Sequence, residues 1–160
     1  MTGRDHWVRR AALGAALPLI VIAAAGAAAR EELYETRLSS VAMDLLTRDL
    51  VAGVGRAHGT LVGRRLSINA LYEGLPSAAI GAELRQGVAV GARGPVIGRL
   101  TVAGGQQGTV TGAATLNAQQ LEALRAGRLY VQINSEKAPD GNLWGWLLPR
   151  TRTAEPGGEK

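Results

Sequence analysis

From residue 56 onward, the chain consists of short apolar segments separated by turns rich in glycine and proline. In the segment from Leu66 to Tyr72, every second residue is apolar and lies on one side of an extended chain, because side chains alternate between the two faces of a strand. The spacing predicts strands over residues 57–63, 65–73, 78–85, 95–102, 108–116, 128–135 and 142–148. About seven short strands at this spacing predict an all-β sandwich or barrel over residues 56–149.

One short helix is predicted between two of these strands. Asn117 is a suitable N-terminal cap for a helix from Ala118 to Arg125, and Gly127 suits its C-terminal end. Residues 150–160 are mostly polar or turn-forming, and we expect them to form a disordered tail.

The N-terminus has a different pattern. Residues 1–10 are polar and basic, and residues 11–29 carry no charge. A run of this length can cross a bilayer as a helix, and the arginines before it predict a cytoplasmic N-terminus with the rest of the chain in the periplasm. The same features fit a signal peptide that is cleaved after Ala29. We take a single-pass anchor in a bacterial inner membrane as the working prediction, with a secreted or periplasmic soluble domain as the alternative.

If the N-terminal segment is retained, three of its side chains are candidates for interaction. Trp7 would lie at the lipid headgroups, where indole rings are enriched. Leu13 and Leu17 would face lipid or the helices of a partner, and the many small residues of the segment would allow close packing on such helices. Integral-membrane protein subunits and membrane lipid are therefore the expected partners.

Residues 31–53 connect this segment to the β domain. They contain no proline, and their only glycine is Gly53. Leu38, Val41 and Leu45 recur at helical spacing, and Glu31 is well placed for a helix N-terminus. We therefore predict an amphipathic connector helix over residues 31–53.

Three stretches carry a resemblance to a known family. They are LYEGLPSA at 71–78, RGPVIGRL at 93–100, and GTVTGAATLNAQQLEALRAGRLYVQINSEKAPDGNLWGWL at 108–147. In order and spacing, residues 57–148 resemble the CHRD domain, a module that is repeated in chordin and occurs singly in bacterial exported proteins. The resemblance implies a Greek-key β-sandwich or barrel similar to copper/zinc superoxide dismutase.

The chain departs from the family at positions that suit a metal. Many bacterial CHRD sequences carry a His-x-His pair and a further histidine, and the corresponding positions here are Glu83, Arg85 and Asn134. Trp144 stands where the family usually has an arginine. One carboxylate, one guanidinium and one amide do not form a copper or zinc site, so we expect no metal and no cofactor. On a strand, Glu83 and Arg85 share a face, where they either pair or are solvated.

Other chemistry finds little support in the residues. The chain contains no cysteine, which excludes disulfides and thiol nucleophiles. His58 and Asp49 lack the signature of a base and a nucleophile, so we expect no catalytic residue. The net charge of +5 forms no basic stripe with stacking aromatics in the β domain, so we expect no nucleic-acid partner.

The last predicted strand is apolar on both faces. Trp144 and Trp146 share one face, which we expect to lie beside Leu129 and Val131, and leucines at 143 and 147 occupy the other face. One side must therefore be covered by something beyond a single sheet. Either the connector helix covers it, or a partner subunit binds there through the tryptophans.

These observations together predict a non-catalytic, membrane-anchored periplasmic domain that serves as a structural or interaction subunit. An integral-membrane assembly, photosynthetic or respiratory, is the expected context. One alternative is a secreted soluble domain that binds a polypeptide. The other is a metal-dependent redox protein of the superoxide dismutase type, which the fold resemblance favours and the missing histidines oppose.

Overall fold

The computed structural model describes residues 30–40, 48–89 and 92–150. These residues form antiparallel strands, one α-helix and a short 3-10 turn at Arg48–Leu50. The strands are β1 (Glu31–Ser40), β2 (Val54–Val62), β3 (Arg65–Glu73), β4 (Ala79–Gln86), β5 (Val96–Gly104), β6 (Gly108–Thr115), β7 (Leu129–Ser135), β8 (Ala138–Trp146) and β9 (Leu148–Pro149). The helix α1 (Ala118–Arg125) connects β6 to β7.

The strands close into a barrel. Within the described residues, the sheet order is β1-β2-β3-β6-β5-β4-β7-β8, and β8 pairs with β1 again. The short β9 adds to the edge of β1. The connections from β3 to β4 and from β6 to β7 each pass over two strands, which is a Greek-key arrangement. The all-β Greek-key prediction is confirmed, and the form is an eight-stranded closed barrel with one extra strand.

The predicted strands of the β domain lie within a few residues of β2 to β8. The apolar alternation in the sequence corresponds to burial in the structure. In β3, the even-numbered residues from Leu66 to Tyr72 are buried in the barrel. The predicted short helix is also confirmed. The side chain of Asn117 accepts a 2.8 Å hydrogen bond from the backbone N–H of Gln120, and Gly127 follows the helix with a φ of 67°.

The predicted connector helix is wrong over residues 31–40, which form β1 instead, and over residues 48–53, which hold only the short 3-10 turn. β1 pairs with the whole of β2, from Glu31 opposite Val62 to Ser39 opposite Val54. Tyr34 and Leu38 are both buried, and a spacing of four residues places two side chains on one side of a strand as well as of a helix. The inward position between them is Thr36, so no apolar residue revealed the period of two.

Several predicted segments lie outside the described residues. They are the basic N-terminus at 1–10, the apolar run at 11–29, residues 41–47 of the connector, and the tail at 151–160. Across the ranges that the structure does describe, no helix has the length and apolarity to cross a membrane.

β1 is fastened at its start to α1. Arg125 Nη2 lies 2.6 Å from Glu32 Oε1, and the hydroxyl of Tyr34 donates a 2.8 Å hydrogen bond to Glu32 Oε2. The hydrogen bond from Arg125 holds the pKa of Glu32 below its ordinary value. Burial, together with the hydrogen bond to Glu32, raises the pKa of Tyr34 to about 12. These contacts join the first strand of the barrel to the helix near its end.

Candidate functional site

The residues singled out in the β domain meet on the outer face of β4, β7 and β8. The strand register forms two rows across this face, which are Glu83–Gln132–Trp144 and Arg85–Tyr130–Trp146. Glu83 and Arg85 therefore lie in the same rows as the two tryptophans, with one β7 residue between them in each row. We name the surface formed by the six residues of these two rows the aromatic face.

The prediction that Trp144 and Trp146 lie beside Leu129 and Val131 is wrong. Leu129 and Val131 are fully buried inside the barrel, and Trp144 and Trp146 lie opposite Gln132 and Tyr130 instead. A shift of one residue in strand register moves each side chain to the other face of the sheet, and sequence alone did not determine that register. The leucines at 143 and 147 do point into the core, as expected.

Glu83 and Arg85 pair with each other. Arg85 Nε donates a 2.7 Å hydrogen bond to Glu83 Oε2, with only 25% and 19% of the two side chains exposed. Arg85 Nη1 also donates to the carbonyl of Gly94, at 3.0 Å. The backbone N–H of Gly94 donates to the hydroxyl of Tyr130, at 3.2 Å. The pair thus anchors the connection between β4 and β5 to the aromatic face.

Asn134 lies on the same face, one row beyond Glu83. Its Oδ1 accepts a 2.7 Å hydrogen bond from Gln132 Nε2, which also donates to the carbonyl of Asp140, at 3.2 Å. The three candidate positions are therefore close in space, but they interact with protein groups. Among the described residues, no group of three or more histidine, aspartate or glutamate side chains is arranged to hold a metal.

The aromatic rings form a compact stack. Tyr130 and Trp144 are parallel, with centroids 5.4 Å apart and planes at 5°, while Trp146 is tilted against Tyr130 at 4.3 Å. The guanidinium of Arg93 lies 4.6 Å from the ring centre of Trp144, in cation–π geometry. Only 6% of Trp144 is exposed. Tyr130 and Arg93 were not predicted as part of the site, because no local pattern in the sequence marks them as partners of the tryptophans.

The aromatic face is covered by the protein's own chain. The covering element is the connection between β4 and β5, which contributes Arg93 and Gly94 as well as Gly87. A Cβ on Gly87 would lie 2.8 Å from Trp146, so glycine permits this close approach. Neither of the two expected covers, the connector helix or a partner subunit, is needed to bury Trp144.

The remaining candidates are placed as follows. His58 is exposed in the middle of β2, between Glu35 of β1 and Asn69 of β3. Trp7, Leu13 and Leu17 lie outside the described residues.

Comparison with known proteins agrees with the resemblance found in the sequence. A family model of the CHRD domain matches residues 43–147, which include β2 to β8 and α1. No curated protein and no solved structure matches the chain. β1 precedes the matched residues, although it completes the barrel between β2 and β8. Since the match spans most of the chain and of its described strands, the chain belongs to the CHRD domain family.

Proposed function

We propose that this protein is a non-catalytic interaction subunit, anchored in a bacterial inner membrane by residues 11–29, with its CHRD barrel in the periplasm. The observation that carries the non-catalytic part is the pairing of Glu83 with Arg85. The two side chains use their polar atoms on each other and on the backbone of Gly94. An ion pair that holds a covering segment in place has a structural role and offers no free acid, base or metal ligand.

The anchor is supported by the sequence and by where the barrel begins. The uncharged run at 11–29 is long enough to cross a bilayer, and arginines precede it. β1 begins at Glu31, so Arg30 alone separates the run from the first strand. An anchored barrel would therefore sit directly at the membrane surface, within reach of the exposed parts of an integral-membrane partner.

The partner that we propose is an integral-membrane assembly, with a photosynthetic or respiratory complex as the favoured context. The apolar run is rich in alanine, and small residues allow membrane helices to pack closely on each other. A helix of this composition suits association with other membrane helices better than isolation in lipid.

The test is extraction of the native protein from membranes with a mild detergent, followed by intact mass measurement and analysis of what co-purifies. We expect a chain that starts at Met1 or Thr2, with stoichiometric membrane subunits and no stoichiometric copper or zinc. A chain that starts at Arg30 and runs alone would support the secreted protein-binding domain instead. Stoichiometric metal would contradict the non-catalytic proposal, because the fold would then serve redox chemistry of the superoxide dismutase type.

A matched pair of variants sharpens this test. Leu13→Ala/Leu17→Ala keeps the run uncharged and changes only the side chains that would face a partner or lipid. Leu33→Ala/Leu148→Ala removes two exposed leucines from the barrel instead. If the helix holds the complex, the first pair should lower the yield of co-purified subunits in detergent, whereas equal loss from both pairs would argue against a helix-mediated association.

A further inference from the structure

We propose that the outer face of β1, β2, β3 and β6 carries a groove that binds an extended, acidic segment of a partner polypeptide. The inference deepens the proposed function, because it names the surface and the chemistry through which an interaction subunit would bind. It concerns the side of the barrel that does not include the aromatic face. We call this surface the arginine groove, and its defining residues are Arg37, Arg56, Leu71 and Thr109.

The four residues form one row across four neighbouring strands. Arg37 of β1 is the register partner of Arg56, Arg56 is the partner of Leu71, and Leu71 is the partner of Thr109. All four are exposed, and they line a groove of about 760 Å³. Since neighbouring strands lie about 4.8 Å apart, the row extends over roughly 14 Å.

The arginine pair is electrostatically unfavourable as it stands. Arg37 and Arg56 lie directly opposite each other on adjacent antiparallel strands, and like charges in that position destabilise a sheet. The ion pairs of the described residues involve Arg85, Arg125 and Arg150. Within that part of the chain, neither Arg37 nor Arg56 forms an ion pair, and the carboxylate that shares the groove, Glu73, lies diagonally across the strands from Arg56. A carboxylate from outside would remove the repulsion and form charge-assisted hydrogen bonds with both.

The next position along the row is apolar. Leu71 is 66% exposed, and Val54, which also lines the groove, is 41% exposed. An exposed leucine beside two arginines offers contact area to a second side chain of the same ligand. The ligand that fits has a carboxylate and an apolar group at a defined separation.

That separation matches an extended polypeptide. The point between Arg37 and Arg56 lies about one and a half strand spacings from Leu71, which is roughly 7 Å. In an extended chain, side chains on one face recur every second residue, which is also about 7 Å. A segment lying along the row would thus place an acidic side chain over the arginines and an apolar one over Leu71. The predicted recognition pattern is an acidic residue and a large apolar residue two positions apart, in either order.

The test uses the purified full chain in detergent and a fluorescein-labelled peptide, Gly-Ser-Leu-Ser-Glu-Ser-Leu-Ser-Gly with capped ends, which presents the pattern in both directions. We expect binding in fluorescence anisotropy that weakens with added salt, because exposed charges are screened. The peptide with Gln in place of Glu should bind at least tenfold more weakly. The variant R37Q/R56Q should show the same loss, while R65Q/R99Q, which removes the same charge from exposed arginines elsewhere on the barrel, should bind normally.

Competition by free glutamate and the thermal stability of a single variant test the groove further. Free glutamate that competes as well as the peptide would reduce the groove to a site for small anions and would overturn the polypeptide ligand. The single variant Arg37→Gln should raise the melting temperature by about 1–3 °C, because it removes a repulsion between like charges. A fall in melting temperature would mean that the folded chain already satisfies Arg37, and the argument from unneutralised charge would fail.

Failure of this inference can be told apart from failure of the proposed function. If R37Q/R56Q protein still co-purifies with the same membrane subunits in the same ratio, the groove is not the binding surface and the interaction subunit stands. If no subunit co-purifies with the native chain and the peptide still binds as described, the membrane assembly is excluded and the groove stands.

Discussion

Arg85 donates a 2.7 Å hydrogen bond to Glu83 from the same face of β4, and it also donates to the carbonyl of Gly94. One side chain therefore connects the barrel wall to the segment that covers the aromatic face.

Arg85→Ala should destabilise the protein by about 1–3 kcal/mol, because two hydrogen bonds from a charged group in a half-buried setting are lost. It should also loosen the covering segment and make Trp146 more accessible. Denaturant unfolding and acrylamide quenching of tryptophan fluorescence measure the two effects. Arg99→Ala is the matched control, since Arg99 is the exposed cross-strand neighbour of Glu83. Equal quenching in both variants would contradict the role assigned to Arg85.

Gly141→Ala should cost about 2–4 kcal/mol of folding free energy. Gly141 has a φ of +129°, which L-residues rarely adopt, and a Cβ there would lie 2.5 Å from Trp144 Nε1. Gly81→Ala is the control, because a Cβ at this position of β4 would meet no other atom within 4 Å. Thermal unfolding of the two variants gives the comparison. A Gly141→Ala protein as stable as Gly81→Ala would mean that Trp144 is not packed against the backbone of β8 at Gly141.

Leu38→Ala should destabilise the protein by about 2–5 kcal/mol, since it opens a cavity at a fully buried position of β1. Leu33→Ala, on the same strand but 38% exposed, should cost less than about 0.5 kcal/mol. Urea unfolding distinguishes the two. The pair also tests β1 itself, because the strand precedes the residues matched by the family model. Similar small effects at both positions would mean that β1 does not complete the core.

The contact between Glu32 and Arg125 predicts a loss of stability in acid. The hydrogen bond from Arg125 lowers the pKa of Glu32 from its ordinary value of 4.5. A carboxylate with a lowered pKa in the folded protein stabilises it above the ordinary value, and this stabilisation is lost as the pH falls below 4.5. The melting temperature should therefore fall more steeply below pH 4.5 in the native chain than in Glu32→Gln. Parallel curves for the two proteins would refute the coupling.

The raised pKa of Tyr34 predicts a loss of stability at alkaline pH. Burial raises its pKa from 10.0 to about 12, aided by its hydrogen bond to Glu32, so the folded protein holds the phenolic proton more tightly. Its contribution is complete below pH 10 and is lost as the pH rises towards 12. Tyr34→Phe should flatten the fall in melting temperature above pH 10. An unchanged alkaline limb would show that Tyr34 does not control it.

The sequence predicted local structure well where the signal lies in neighbouring residues. The alternation in β3 and the capping residue Asn117 act within a few positions of the chain, and both predictions are confirmed. It failed at β1, because the helix was predicted from the spacing of Leu38 with Val41 and Leu45, and of these only Leu38 lies in the strand. The strand instead depends on pairing with β2, more than a dozen residues further along the chain.

In the candidate site too, some residues were predicted from the sequence and others were not. The sequence indicated Glu83, Arg85 and Asn134 as a set that lacks metal ligands, and the structure brings them together on one face. It did not indicate Tyr130 as the ring between the tryptophans, because the register of β7 against β8 decides which side chains meet.

By itself, the sequence determined the all-β class, the strand segments from β2 to β8, the short helix and the family resemblance. These features depend on periodicity, turn residues and motif order, which are local properties of the amino-acid sequence. Only the tertiary structure decided the closure of the barrel by β1, the self-covered aromatic face and the juxtaposition of Arg37 with Arg56. These features depend on which strands become neighbours and in what register. That choice is made by the burial and backbone pairing of the whole barrel, over distances that no local pattern encodes.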